Sequence, residues 1–270
     1  MYFRYDMRRI SHLFPAIVVA LLAAGCGPRL DSCGGPPGGW GFDGSGQLLP
    51  VLETVPPALT IVALGSSSTE GIGASTPAYT YPAQLQRILD NRYPDADIKV
   101  FNKGVAQEIV ASNLVRLDRD VLSLSPDLVI WQVGTNDAIY LDDLTTILEQ
   151  VQTGIDRIKK SGTRLAILSP QSFPDEARDG RIRRMNDALR DMALANDVSF
   201  LDRHGLMTWW LDSRTLFPDE LLGGDALHMS DRSYECLAIR IADLVPALAQ
   251  TQSDKHLASS PQVPLTVLPR

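Results

Sequence analysis

Between residues 58 and 250 the chain alternates short apolar runs with longer amphipathic segments, and few folds accept that order. Leu59–Leu64, Ile98–Phe101, Leu128–Val133, Leu165–Leu168 and Val198–Leu201 are short and rich in branched residues, as expected of strands buried on both faces. Pro82–Tyr93, Ile109–Leu122, Leu144–Lys160, Gly180–Asn196 and Asp231–Leu248 have helical spacing. In the last of these, Tyr234, Leu237, Ile241, Leu244 and Leu248 recur on one face. The βαβαβαβαβα order calls for a parallel sheet with helices on both faces, joined by right-handed crossovers. In such sheets ligands bind beyond the carboxyl ends of the strands.

The flanks read differently. Arg4, Arg8 and Arg9 precede the apolar stretch Leu13–Ala24, so residues 1–25 have the form of an export signal, too short to span a bilayer comfortably. The sequence Leu22-Ala-Ala-Gly-Cys26 resembles a bacterial lipobox, which implies lipidation at Cys26, a periplasm-facing anchor and no other membrane contact. Ordinary cleavage near Gly25, releasing a soluble periplasmic or secreted protein, is the alternative. Residues 26–57 are rich in Gly and Pro and are expected to form a tether. Residues 58–250 are expected to form the folded domain, and residues 251–270 a polar tail.

Without residues 1–25 the chain carries 22 basic against 31 acidic residues, net −9, with no long basic run. That balance argues against nucleic acid as a partner. Cys26, Cys33 and Cys236 are the only cysteines. The last two can either pair in an oxidising compartment or remain free thiols. No Cys or His group has metal-ligand spacing, so no metal is expected.

Each loop after a strand is weak evidence alone. Gly65-Ser-Ser-Ser-Thr-Glu-Gly71 lacks the Lys of a P-loop and the second Gly of a nucleophile elbow, and a Ser/Thr-rich helix entry explains it equally well. Asn102-Lys-Gly104 and Gly134-Thr-Asn136-Asp137 suit turns. Of the four histidines, His12 and His256 lie in the flanks, leaving His204 and His228 as imidazole bases. Asp225, three residues before His228, can fix that ring's tautomer. His204 reads as a surface or supporting residue, and Trp209-Trp210 as packing in preference to a sugar-binding wall.

Taken together, these blocks resemble the SGNH (GDSL-like) hydrolases. Gly65–Gly71 is similar to G-D-S-x-T-x-G, Asn102-Lys-Gly104 to the glycine block, Gly134–Asp137 to G-x-N-D, and Asp225-Ala-Leu-His228 to D-x-x-H, in the family's order. The resemblance implies a flavodoxin-like three-layer α/β/α sandwich with a five-stranded parallel sheet. It implies Ser67 as nucleophile, His228 as general base and Asp225 as its orienting carboxylate. The oxyanion hole would comprise the N–H groups of Ser67 and Gly104 and the side chain of Asn136, with no metal or organic cofactor. Two positions depart from the pattern: Ser66 replaces the usual Asp, and Gln107 stands where the glycine block often has a second Gly.

The activity implied is O-ester hydrolysis of short acyl groups, from small molecules or polysaccharides, through an acyl-enzyme. O-acyl transfer and lysophospholipase or lipase activity share that chemistry. A binding module that kept the fold without the reaction is the reading from another class.

Overall fold

The computed structural model describes residues 33–250; the expected signal, Cys26 and the polar tail lie outside the described residues. The strands are β1 (Gly41–Phe42), β2 (Ala58–Gly65), β3 (Asp97–Gly104), β4 (Leu128–Gln132), β5 (Arg164–Leu168) and β6 (Ser199–Leu201). They form one sheet in the order β1-β6-β5-β4-β2-β3. All pairings are parallel except that of β1 with β6. Without β1 this is the flavodoxin-like order, whose switch point lies between β2 and β4. The sheet therefore has one antiparallel edge strand more than the five parallel strands expected.

The helices are α1 (Ser67–Glu70), α2 (Tyr81–Arg92), α3 (Val110–Asp120), α4 (Thr135–Tyr140), α5 (Leu144–Lys160), α6 (Glu176–Ala195), α7 (Arg203–Asp212), α8 (Pro218–Leu221) and α9 (Asp231–Leu248). Helices α2 and α9 pack together, and α5 packs against both α3 and α6. Every residue of β4 is buried, which explains a run without polar alternation. On α9 the periodic residues Tyr234, Leu237, Ile241, Leu244 and Leu248 are all buried. Burying a large aliphatic side chain contributes about 1.5–3 kcal/mol.

Within the segment expected to be a tether, residues 33–49 are strapped to the domain. Cys33 forms a disulfide with Cys236 of α9, which resolves the choice between paired and free thiols. Trp40 and Leu49 are buried, Gly41 and Phe42 pair with Leu201 and Phe200, and the Trp40 carbonyl accepts from the Asp202 N–H. Glycine suits this segment because it permits close approach: a Cβ on Gly41 would stand 2.4 Å from Leu244 Cδ1. The same segment accounts for one of the paired tryptophans. Trp210 is fully buried and donates to the Gly34 carbonyl, so packing is its role.

Strand β3 also runs further than its apolar pattern suggests. Asn102, Lys103 and Gly104 belong to it and lie opposite Ala63, Leu64 and Gly65 of β2, so the glycine block is strand, not loop.

Candidate active site

Ser67 is the first residue of α1, immediately beyond the carboxyl end of β2. The helix is a single turn, closed by Gly71 in the left-handed region at φ 103°, whose N–H bonds to the Ser67 carbonyl. Three consecutive hydroxyls thereby point in three directions. Ser66 donates both its N–H and its Oγ to Gln132 Oε1, each at 3.0 Å, and Ser68 Oγ donates to Gln171 Oε1 at 2.9 Å. Ser67 Oγ faces His228 Nε2 at 3.0 Å.

His228 Nδ1 lies 2.6 Å from Asp225 Oδ2. Asp225 Oδ1 accepts the N–H groups of Leu227 and His228 at 3.0 and 2.9 Å, a tight turn with Ala226 at φ 52°. The partial desolvation that would raise the Asp225 pKa is outweighed by hydrogen bonds from the His228 ring and from the two N–H groups, which hold it at about 2. The carboxylate thus stays ionised across the neutral range and holds a proton on Nδ1, leaving Nε2 free to accept one. The His228 side chain is 15% exposed and that of Asp225 48% exposed.

The loop after β4 begins α4 and carries Asn136, whose buried side chain donates to the Glu108 carbonyl at 2.8 Å. A carboxamide nitrogen has two hydrogens, so one is left for a ligand. Asp137 accepts the N–H of Val110 at the start of α3; burial pushes its carboxyl up, against this and other backbone hydrogen bonds. A cavity of about 450 Å³ opens beside Asp225, lined in part by Phe173, Pro174, Pro218 and Leu222.

A nucleophile, an imidazole and a carboxylate in hydrogen-bonded series can take a proton from the serine as it attacks a carbonyl. A family model for non-GDSL lipase-like proteins matches residues 45–251. The chain belongs to the non-GDSL lipase-like family. It is an SGNH-type serine ester hydrolase.

Relatives agree with that placement. An acetylxylan esterase of Geobacillus stearothermophilus is 24% identical over 196 residues, covering 66% of this chain and 87% of the relative. The solved lipase/acylhydrolase of Enterococcus faecalis is 25% identical with a TM-score of 0.59, covering 68% of this chain and 93% of that one. A two-domain esterase active on acetylated mannans, co-crystallised with mannopentaose, shares the fold at 19% identity and a TM-score of 0.60. That likeness covers 71% of this chain and 50% of the two-domain esterase.

In this non-GDSL lipase-like chain the departure at Ser66 is compensated locally. Where an Asp would offer an acceptor, Ser66 offers a donor, and Gln132 supplies the acceptor from β4. Gln107 adopts φ 66°, a left-handed conformation in which glycine is favoured, which accounts physically for a glycine at that place in the motif.

Gly104 does not occupy the place expected of it. Its N–H is committed to Asn102 Oδ1 at 2.9 Å, so it is not aimed at an oxyanion. Its function is proximity: a Cβ there would stand 1.9 Å from the Glu70 nitrogen, so β3 could not lie against α1 with any side chain at this position.

His204 is buried and not on the surface, and its Nε2 lies 3.0 Å from Asp179 Oδ1, away from the Ser67 series. Arg203, which sequence reasoning passed over, is fully buried. It donates to the Ser169 carbonyl at 2.9 Å and to Thr135 Oγ1 at 3.4 Å. Burial pulls its guanidinium down to about 10, against the opposing influence of Tyr81 and Tyr234. A lone Arg beginning a helix carries no pattern that would have marked it. Among the described residues no group of three or more His, Cys, Asp or Glu is gathered to hold a metal ion.

Proposed function

We propose that the protein removes acetyl or other short acyl groups from a carbohydrate, with Ser67 as nucleophile, His228 as general base and Asp225 as its orienting carboxylate. The observation that carries this is the series Ser67 Oγ to His228 Nε2 at 3.0 Å and His228 Nδ1 to Asp225 Oδ2 at 2.6 Å. Ser67 attacks the ester carbonyl while Nε2 takes its proton; the imidazolium then protonates the departing sugar hydroxyl. Water attacks the resulting acyl-enzyme with the same ring as base, returning Ser67 and releasing the acid.

The oxyanion of each tetrahedral intermediate needs donors already in position. The Ser67 N–H, at the first position of α1, has no partner within its helix. The second hydrogen of Asn136 Nδ2 is another donor. For the third we assign the Gln107 N–H in place of that of Gly104. Its neighbours are held on either side, Ala106 N–H by Glu70 Oε2 and the Glu108 carbonyl by Asn136. Gln107 is thus suspended between the nucleophile turn and Asn136. Asn136→Ala is expected to lower kcat about 10²- to 10³-fold, as loss of one such donor does. Steady-state kinetics on a p-nitrophenyl ester reads this directly, and a change under threefold would remove Asn136 from the hole.

The carbohydrate part of the reading is supported by the acetylxylan esterase relative and by the cavity beside Asp225, which is large enough for a sugar and walled by Phe173 and two prolines. Hydrolysis rates across p-nitrophenyl esters of rising chain length, followed by acetate release from acetylated xylan and mannan, test it. Acetyl esters should be preferred, whereas a maximum at long acyl chains would assign a lipase.

Activity should fall as pH is lowered, because a general base must be unprotonated to accept the serine proton. Because Asp225 is held at about 2, the fall should follow a single protonation. A rate independent of pH from about 5 to 9 would contradict an imidazole base.

We further infer that the protein works outside the cytoplasm. The Cys33–Cys236 bridge supports this, since such bonds persist in oxidising compartments. Acid-quenched cells treated with a thiol-alkylating reagent should yield protein with both cysteines protected; alkylation of both would contradict it.

A further inference from the structure

We propose that Gln171 is a positioning residue that sets the distance between Ser67 and His228, through the residue next to each. This rests on the triad reading above.

Gln171 follows β5 in the segment Ser169-Pro170-Gln171 and is 1% exposed. Its Oε1 accepts the hydroxyl of Ser68 at 2.9 Å, and its Nε2 donates to the carbonyl of Leu227. Ser68 follows the nucleophile and Leu227 precedes the base, so one planar amide spans the two chain segments whose separation must suit proton transfer.

The orientation of that amide follows from its partners. A backbone carbonyl only accepts, so the amide nitrogen must face Leu227, and the oxygen is then left for the Ser68 hydroxyl. No other uncharged side chain of this length offers one donor and one acceptor from a single plane. The anchorage behind Gln171 is firm, because Arg203 holds the Ser169 carbonyl and the Ser169 hydroxyl accepts the His204 N–H.

The loop needs such a tie. The bonds of Leu227 and His228 N–H to Asp225, and of Gly223 N–H to the His228 carbonyl, shape residues 223–228 internally without joining them to the sheet. Gln171 joins them to the sheet and to the nucleophile turn at once. A displacement of about 1 Å between reacting groups can cost about 10²-fold in rate.

Three single variants and one double variant test this, read by kcat, KM, pH profile and the rate of fluorophosphonate labelling. Gln171→Met fills the same space without either hydrogen bond. It should lower kcat and labelling rate about 10- to 100-fold, with KM changed by no more than about threefold. Ser68→Ala should have a smaller effect, and the Gln171→Met/Ser68→Ala pair should be no worse than Gln171→Met alone, because both remove one tie.

Gln171→Glu separates positioning from mere support. Protonated, the new carboxyl donates to Leu227 and accepts from Ser68 as the amide does; ionised, it can only accept and faces a carbonyl oxygen. Burial raises its pKa. Its kcat should therefore fall again as pH rises, giving a bell where the native enzyme has a single acid limb.

A folded Gln171→Met with kcat within twofold of native overturns the proposal. So does a Gln171→Glu pH profile that superimposes on the native one. If Gln171→Met does not fold, native kcat in Ser68→Ala together with an unchanged Gln171→Glu profile overturns it. If the native protein is labelled elsewhere than Ser67, the triad reading has failed. If Ser67 is labelled as fast in Gln171→Met as in the native protein, only the role of Gln171 has failed.

Discussion

Ser67→Ala is expected to lower kcat for p-nitrophenyl acetate about 10⁴-fold or more, with the fold and melting temperature retained. The side chain removed is one hydroxyl on a half-buried residue at a helix start, and its hydrogen-bond partner is His228. Its neighbours serve as internal controls. Ser66 Oγ is engaged by Gln132 and Ser68 Oγ by Gln171, so neither can reach the imidazole without leaving a buried partner unsatisfied. Alanine at either should act through the shape of the turn, with far smaller losses than at Ser67. Retention of activity in Ser67→Ala with its abolition in Ser66→Ala would move the nucleophile by one residue and break the series built here.

Asp225→Asn should be nearly as severe, about 10³- to 10⁴-fold in kcat, although it changes one atom. Asp225 Oδ1 accepts two backbone N–H groups, and only an oxygen can do so; an asparagine must keep its oxygen there. Its NH₂ then faces His228 Nδ1, at the place where Oδ2 now stands. A donor at that position favours the tautomer with the proton on Nε2, and such a ring cannot take the proton of Ser67. The loss should appear in kcat with little change in KM. Equal kcat in the native and Asp225→Asn proteins would mean that the carboxylate neither orients nor stabilises the base.

The parts of this architecture that could be read from sequence are those with a repeating physical signal. Helices α5 and α9 have the same bounds in the structure as in their hydrophobic periodicity, since one stripe of each faces the core. The buried strands β2 and β4 are nearly continuous apolar runs because both of their faces are covered. Asp225 and His228 were legible because three residues is the reach of one turn.

What escaped reading lacks periodicity. The strap from Cys33 to Leu49 places isolated apolar residues among glycines, and its pairing with β6 and its disulfide to α9 depend on residues more than 150 positions away. Helix α7 is buried on several sides, with Arg203, His204, Leu206, Met207 and Trp210 all inside, so it shows no polar face to define a stripe. Gly104 was assigned an N–H role because its motif suggested one, whereas its missing side chain is what the packing uses. Gln132 and Gln171 are single buried amides whose partners lie 66 and 103 residues away, a relation that exists only once the sheet has formed.

The central claim is that Ser67 alone of the three serines is activated, and covalent labelling reads it most directly. A fluorophosphonate probe applied to the native protein, followed by peptide mapping, should place a single modification on Ser67. The rate should rise with pH, as it does wherever an unprotonated base activates the nucleophile, and His228→Ala should no longer be labelled. Modification of Ser66 or Ser68, or none at all in a folded sample, would contradict the account.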